Sequence, residues 1–399
     1  MIRISVGEFH LGAEEKKVLT EVIDSGRLSE GRKTFEFEKA WAKYIGTKFS
    51  VVVNSGTSAL IAGLIALKNK FKIKDGSKVI TSPLTFIATV NAIMHAGLKP
   101  VFVDIDPKTL VITPQNIRKA LKREKGVSII LPVHLMGYLA DMDAINAIAK
   151  EYNLLVMEDA AQAHGSLYKG RRAGSLSKLG VFSFYIAHNI QAGEMGAVTT
   201  DDQDIFKLLK KIKAHGRMCA CNVCTRKSGI CPPLDNYKGK SDFDPRFYHD
   251  MIGFNLKVME FQAALGLTQI KKADEIFKKR NSNVKYLNDG LSELSGVLQL
   301  PYYSKDVSYL AYPIVIKDTE RISRLQLRRE LERQGIETRP LFGCIPTQQP
   351  AYNFLKKQYK DKLPNAEYIG ENGFYIGCHQ YLKKDDLGYI IAVFHKILK

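Results

Sequence analysis

Residues 49–70 read FSVVVNSGTSALIAGLIALKNK. The opening run is β-branched and apolar without strict alternation, and Asn54, Ser55 and Gly56 close it. That is how a strand buried on both faces reads. From Ser58 onward the apolar residues recur at helical spacing. A strand that turns through Asn-Ser-Gly-Thr into a helix is one βα unit of a parallel sheet. The alternation continues downstream. Further strands are expected at 78–83, 100–105, 128–134, 154–159, 180–185 and 196–200. Between them lie helical patterns such as FIATVNAIMHAG (86–97), PQNIRKALKREK (114–125) and DMDAINAIAKEY (141–152). Pro114 and Gly97 sit where helices start and stop. The expectation is an α/β fold around a seven-stranded, mostly parallel sheet, with ligands beyond the carboxyl ends of its strands.

The pattern then changes. A long helix is expected from about 257 to 287, followed by short strands (YLAYPIVI, 309–316) and a helix (SRLQLRRELERQG, 323–335). This predicts a large domain over 1–255 carrying a Cys-rich insertion at 217–245. A connecting helix over 256–295 and a small C-terminal α+β domain over 296–399 follow it. A chain of 399 residues accommodates both domains.

Hydrophobic residues make up 45% and charged residues 25%, enough apolar surface for a large core, which excludes general disorder. No run approaches the roughly 18 apolar residues of a membrane span, and the N-terminus lacks a secretory apolar run. A soluble cytoplasmic protein without membrane partners is expected. The formal charge of +18 points to anionic ligands. The basic residues are scattered, so a phosphorylated metabolite fits better than nucleic acid.

Three segments carry chemistry. Asn54–Leu60 (NSGTSAL) places Gly56, Thr57 and Ser58 at a helix N-terminus, where a phosphate would sit; plain N-capping explains the same residues. Glu158–Gly165 (EDAAQAHG) ends a strand with an acid aimed at the ligand crevice, or with a loop cap. Cys219, Cys221, Cys224 and Cys231 crowd one short segment, which in an intracellular chain favours a metal over disulfides. Four thiolates suit an iron–sulfur cluster or zinc, and reduced thiols remain an alternative. His134 and His164, near strand ends, read as hydrogen-bonded structural histidines. Cys344 and Cys378 read as packing or pocket lining.

The stretch FSFYIAHNIQAGEMGAV (182–198) brings a resemblance into focus. Together with NSGTSAL, SPLTFIATVNAI (82–93), VFVDIDPKTL (101–110), EDAAQAHG and GFNLKVMEFQAALGL (253–267), it resembles the DegT/DnrJ/EryC1/StrS sugar aminotransferase family. The match extends from GRLSEGRKTFEFEKAWAKYIGT (26–47) to GFYIGCHQYL (373–382). It implies the type I pyridoxal-phosphate fold. In that family a Lys after the FSF strand binds the cofactor covalently, but here the position is His188. The arrangement resembles the branch of nucleotide-linked 4-keto-6-deoxysugar 3-dehydratases of the colitose and ascarylose pathways. There the cofactor, pyridoxamine or pyridoxal phosphate, is held without a covalent bond.

The resemblance assigns roles by position. His188 would be the general base, which a neutral imidazole suits. Gly56, Thr57, Ser58 and Ser183 would hold the phosphate, and Phe86 would stack on the pyridine ring. Asp159 would pair with the ring nitrogen and Gln162 with the ring hydroxyl. Asn255 would reach the phosphate of a neighbouring subunit, implying a homodimer with shared sites. Arg339 would meet the diphosphate of a nucleotide-sugar substrate, or form a surface salt bridge. The ascarylose-pathway relative carries a two-iron cluster fed by a partner reductase, so the four cysteines imply the same, although their spacing differs. Two other functions fit the letters: a nucleotide-sugar aminotransferase whose Lys became His, or a silent nucleotide-sugar or nucleic-acid binding protein with structural zinc.

Overall fold

The computed structural model describes residues 2–219, 221 and 247–399. Seven strands form the main sheet: β1 (Phe49–Val53), β2 (Lys78–Thr81), β3 (Lys99–Phe102), β4 (Val127–Leu131), β5 (Leu155–Asp159), β8 (Leu179–Ser183) and β9 (Gly196–Thr200). Their order is β1-β9-β8-β5-β4-β2-β3. A small hairpin of β6 (Leu167–Tyr168) and β7 (Arg171–Arg172) lies between β5 and β8 in the chain. All pairs from β8 to β3 are parallel, while β9 runs antiparallel to β1 and β8. The mostly parallel sheet expected from the apolar runs is therefore the observed one. Two strands stop earlier than their apolar runs suggest, because Pro83 and Pro132 have no N–H to give the ladder.

The helices start where the sequence caps them. Ser55 caps α3 (Gly56–Phe71), accepting from the Ser58 N–H. Helix α1 spans Ala13–Asp24, α2 Arg32–Ile45 and α4 Ala88–His95. Thr113 caps α5 (Pro114–Arg123), Asp141 caps α6 (Met142–Glu151) and Asp202 caps α7 (Gln203–Ile212), each through its side-chain oxygen. The long helix α8 covers Glu260–Leu291 and packs on α1 and α2. It begins three residues later than the periodicity suggests, since Met259 is extended and bridges Ser29.

Beyond α8, a four-stranded antiparallel sheet runs β10-β11-β13-β12, from β10 (Leu298–Gln299), β11 (Tyr312–Ile316), β12 (Thr338–Pro340) and β13 (Gly373–Ile376). Helices α9 (Arg324–Arg333), α10 (Pro364–Asn372) and α11 (Lys384–Leu398) accompany it. The chain's first residues return here: the N–H groups of Arg3 and Ile4 donate to the Gly335 carbonyl. No described helix is long and apolar enough to cross a membrane.

Candidate active site

Strands β1, β5 and β8 deliver their carboxyl ends to one cavity of about 340 Å³, a size suited to a small ligand. At the end of β1 the chain enters α3. Gly56 lies against Ser183 at the end of β8; a Cβ on Gly56 would come within 2.5 Å of the Ser183 Cβ. Only glycine lets the start of α3 approach β8 this closely. Gly56, Thr57 and Ser183 all line the cavity. N–H groups at the start of a helix are the kind of donor that an anion takes. Ser58 is not on the wall; its hydroxyl and N–H both pair with Ser55 Oγ, at 3.0 and 3.1 Å. Ser58 is thus held by the cap residue Ser55.

Asp159 ends β5 and is nearly fully buried. Thr89 Oγ1 donates to Oδ2 at 2.7 Å, and the Ala161 N–H donates to Oδ1 at 3.2 Å. Burial raises this carboxyl above its usual range, and the bonds from Thr89 and Ala161 hold it back. A protonated pyridine nitrogen is the partner such a group accepts. Phe86, 57% exposed, presents its ring on the same wall, 5.8 Å from Phe342. Gln162 also lines the cavity, with Oε1 accepting from the Met136 N–H at 3.0 Å. A phosphate cradle, an aromatic face and a buried acid around one cavity fit pyridoxal or pyridoxamine phosphate.

His188 stands on this wall with Tyr185 and Glu194. Its Nδ1 is buried without a hydrogen-bond partner among the described residues. Burial chiefly, and the Arg280 guanidinium next, push the imidazole down to about 4; the Tyr185 backbone opposes this slightly. Neutral imidazole is therefore the resting form at pH 7. No lysine is among the described residues lining the cavity.

The geometry agrees with the comparisons. Residues 10–395 match the model of the DegT/DnrJ/EryC1/StrS aminotransferase family. The chain belongs to that family. Among DegT-family relatives it is 32% identical to lipopolysaccharide biosynthesis protein RfbH of Salmonella typhimurium, over 97% of this chain and 90% of that protein. It is also 32% identical to GDP-perosamine synthase of Caulobacter vibrioides, over 99% and 98% of the two chains. The solved E. coli GDP-4-keto-6-deoxy-D-mannose 3-dehydratase with bound hydrated pyridoxal phosphate superposes with a TM-score of 0.88. That pair is 27% identical and covers all of both chains. DegT-family chains similar to this one thus include both a dehydratase and a synthase of an amino sugar.

The remaining candidates fall in different places. Arg339 lines the cavity and also donates to Glu337 Oε1 at 3.1 and 3.3 Å, the salt bridge that the sequence offered as its alternative role. Asn255 lies off the cavity, accepting from Lys257 Nζ at 2.6 Å. Cys219 and Cys221 are described, but Cys224 and Cys231 lie outside the described residues. Among the described residues no three His, Cys, Asp or Glu side chains gather as a metal site. Cys344 and Cys378 are packed in the core. His134 is structural as expected: its Nε2 meets Glu158 Oε2 at 3.2 Å, and its Nδ1 accepts from the Ala140 N–H at 3.4 Å. His164 corrects the reading. It is fully buried and neither ring nitrogen has a partner among the described residues, because Phe182, Phe184 and Trp41 surround it. Sequence reasoning also passed over Thr89 and Arg280. Thr89 sits in the quoted SPLTFIATVNAI block, one helical turn past Thr85, and that spacing was its signal.

Proposed function

We propose that this protein is a 3-dehydratase of a nucleotide-linked 4-keto-6-deoxysugar, using pyridoxamine phosphate held without a covalent bond. The observation that carries this is His188: an imidazole on the cavity wall, where the family resemblance places a Lys. When bound, the cofactor supplies an amine for the C4 ketone and a ring that disperses charge. The chain does the rest. The N–H groups of Gly56 and Thr57 bind phosphate, with Ser183 beside them. Asp159, as a carboxylate, would accept the N–H of a protonated pyridine nitrogen and keep that proton there, and Thr89 fixes the orientation of the carboxylate. Phe86 covers one ring face. His188 accepts a proton at Nε2 and returns it as the C3 hydroxyl departs as water. Arg339, on the rim, suits a nucleotide diphosphate.

A homodimer in which Asn255 serves the neighbouring site belongs to the same reading, as does the division into a large domain, a connecting helix and a small domain. The Cys segment bears on how the reaction ends. An iron–sulfur cluster would favour two-electron reduction with a partner reductase, and its absence would favour hydrolysis to the 3-deoxysugar. Metal analysis and visible absorbance of anaerobically purified protein separate iron–sulfur, zinc and bare thiols. The relative that makes perosamine supports a second reading, transamination at C4.

The deciding experiment incubates the protein with the cofactor, glutamate and a panel of nucleotide-linked 4-keto-6-deoxysugars, and reads products by mass. Loss of the C3 oxygen is expected. Exchange of the keto oxygen for an amino group, with the C3 hydroxyl kept, overturns the proposal.

A further inference from the structure

His188 sits in the loop that joins β8 to β9, and little holds its imidazole directly. Its Nδ1 has no hydrogen-bond partner among the described residues. In a catalytic triad, an acid on that nitrogen fixes the orientation of the ring. Here the rings of His164 and Tyr185 stand edge-on to it, with centroids 6.0 and 6.2 Å away. The direction of the imidazole therefore comes from the backbone that carries it.

Bonds within the loop give that backbone its shape. The Ala192 N–H donates to the Phe184 carbonyl at 2.8 Å and closes the base. The His188 N–H donates to the Tyr185 carbonyl at 2.8 Å, and Gln191 Nε2 donates to the Ile186 carbonyl at 2.5 Å. The anchor to the rest of the protein is Asn189, the residue next to His188. It is fully buried, and its Nδ2 donates to Ser308 Oγ at 2.8 Å and to the Ser308 carbonyl at 3.2 Å. Among the described residues, no other side chain of 185–192 hydrogen-bonds outside the loop.

Ser308 is itself held fast. Its N–H donates to Ser166 Oγ at 2.9 Å, and Ser166 Oγ donates to the Gly137 carbonyl at 2.7 Å. Gly137 packs so closely that a Cβ on it would stand 2.3 Å from the Ser308 carbonyl oxygen. The chain Asn189–Ser308–Ser166–Gly137 thus ties the His188 loop to the segments after β5 and β4. Two residues past Ser308 the cavity wall resumes, at Leu310 and Ala311. A buried hydrogen-bonded chain keeps one geometry, because breaking it strands a desolvated polar group.

We infer that Asn189 is a positioning residue whose buried clamp on Ser308 fixes the loop backbone and so aims the His188 imidazole into the cavity. The inference rests on the reading of His188 as the base. A displacement of about 1 Å can cost on the order of 10²-fold in rate. Loosening the clamp removes no substrate contact, so the loss belongs to kcat and not to KM.

The test uses two variants. Asn189→Leu branches at the same carbon but cannot donate, and Ser308→Ala removes the shorter of the two bonds. The full-length protein, without substrate, carries carbon-13 in its histidine rings and is followed by NMR. The His188 signal is identified by its disappearance in His188→Asn, and its shift reports the ring's placement against Tyr185 and His164. One sharp signal is expected in the wild type. In Asn189→Leu it should move or broaden, while rings other than His188 and His164 keep their positions. Ser308→Ala should show the same change to a smaller degree. With substrate, Asn189→Leu should lower kcat by about 10–100-fold and leave KM nearly unchanged. A folded Asn189→Leu protein with an unmoved His188 signal or an unchanged kcat overturns the inference. So does a shift spread over all the histidines, the mark of general loosening. Should Asn189→Leu not fold, Ser308→Ala decides by the same readings. The ring signal needs no turnover, so a chain found to transaminate would sink the proposed dehydration and leave this result readable.

Discussion

His188 and Asp159 put two titratable groups in one cavity with opposite charge problems. His188 is held neutral by burial and a nearby cation; Asp159 is a carboxylate kept in a dry place. Replacing His188 with Asn should leave cofactor binding intact, as followed by absorbance. Turnover should fall by about 10²–10⁴-fold, the usual contribution of a general base. Equal turnover would remove the imidazole from the mechanism. Asp159→Asn should act in two directions. Its folded pKa lies above its unfolded value, so the native state loses stability as pH rises through that range and carries the penalty at pH 7. The amide lifts this penalty, and the cofactor-free protein should melt at a higher temperature. The same change should weaken cofactor affinity by about 2–5 kcal/mol, the cost of breaking a buried charge pair. A titration showing unchanged affinity would contradict the pairing. Both side chains were legible in the sequence from their motifs. The burial that lowers His188 further was not, because it is set by packing between residues far apart in the chain.

The start of α3 shows what one glycine does for an element. Its helix N-terminus can serve as an anion site only because Gly56 lets it touch β8. Gly56→Ala should force the two apart, at a cost of about 1–3 kcal/mol typical of overpacking, with a larger relative loss of phosphate-dependent cofactor binding. Calorimetry and a cofactor titration on the same variant check both. The strands and helices themselves were legible from apolar runs, β-branched residues and capping side chains. What the pattern could not show is that β9 runs antiparallel within a parallel sheet. A five-residue apolar run has no direction written into it. The direction is seen only in the tertiary pairing, where Ser183 faces Gly196 and Gly180 faces Thr199, and Gly196 approaches the Ser55 carbonyl, where a Cβ would stand 2.2 Å away.

Across the molecule, buried charge is concentrated where elements meet. Lys213, 1% exposed, joins α7 to Glu38 of α2 at 3.1 Å and to Glu30 at 2.9 Å. Lys213→Met removes the cation from Glu30 and leaves Glu38 to Lys210, 3.7 Å away, and should cost about 3–5 kcal/mol in denaturant unfolding. A change near zero would show that water reaches the cluster. Three buried histidines set the response to acid. His188 and His379 lie at about 4 and His164 well below 6.5. Below the unfolded value of about 6.5 the unfolded chain binds more protons, so stability present at pH 7 should fall steadily toward about pH 4. Thermal scans between those limits measure the slope. The amino-acid sequence alone determined the alternation of strands and helices, the family and the ring of cofactor-type residues, because each rests on local spacing or a contiguous motif. Tertiary structure alone decided which of those residues share a wall. It turned Ser58 toward its own helix cap, left His164 without a hydrogen-bond partner among the described residues, and brought Arg280 of a distant helix onto the carbonyl of the cavity residue Leu310. Packing sets distance and dielectric between residues far apart in the chain, and neither quantity is encoded in local spacing.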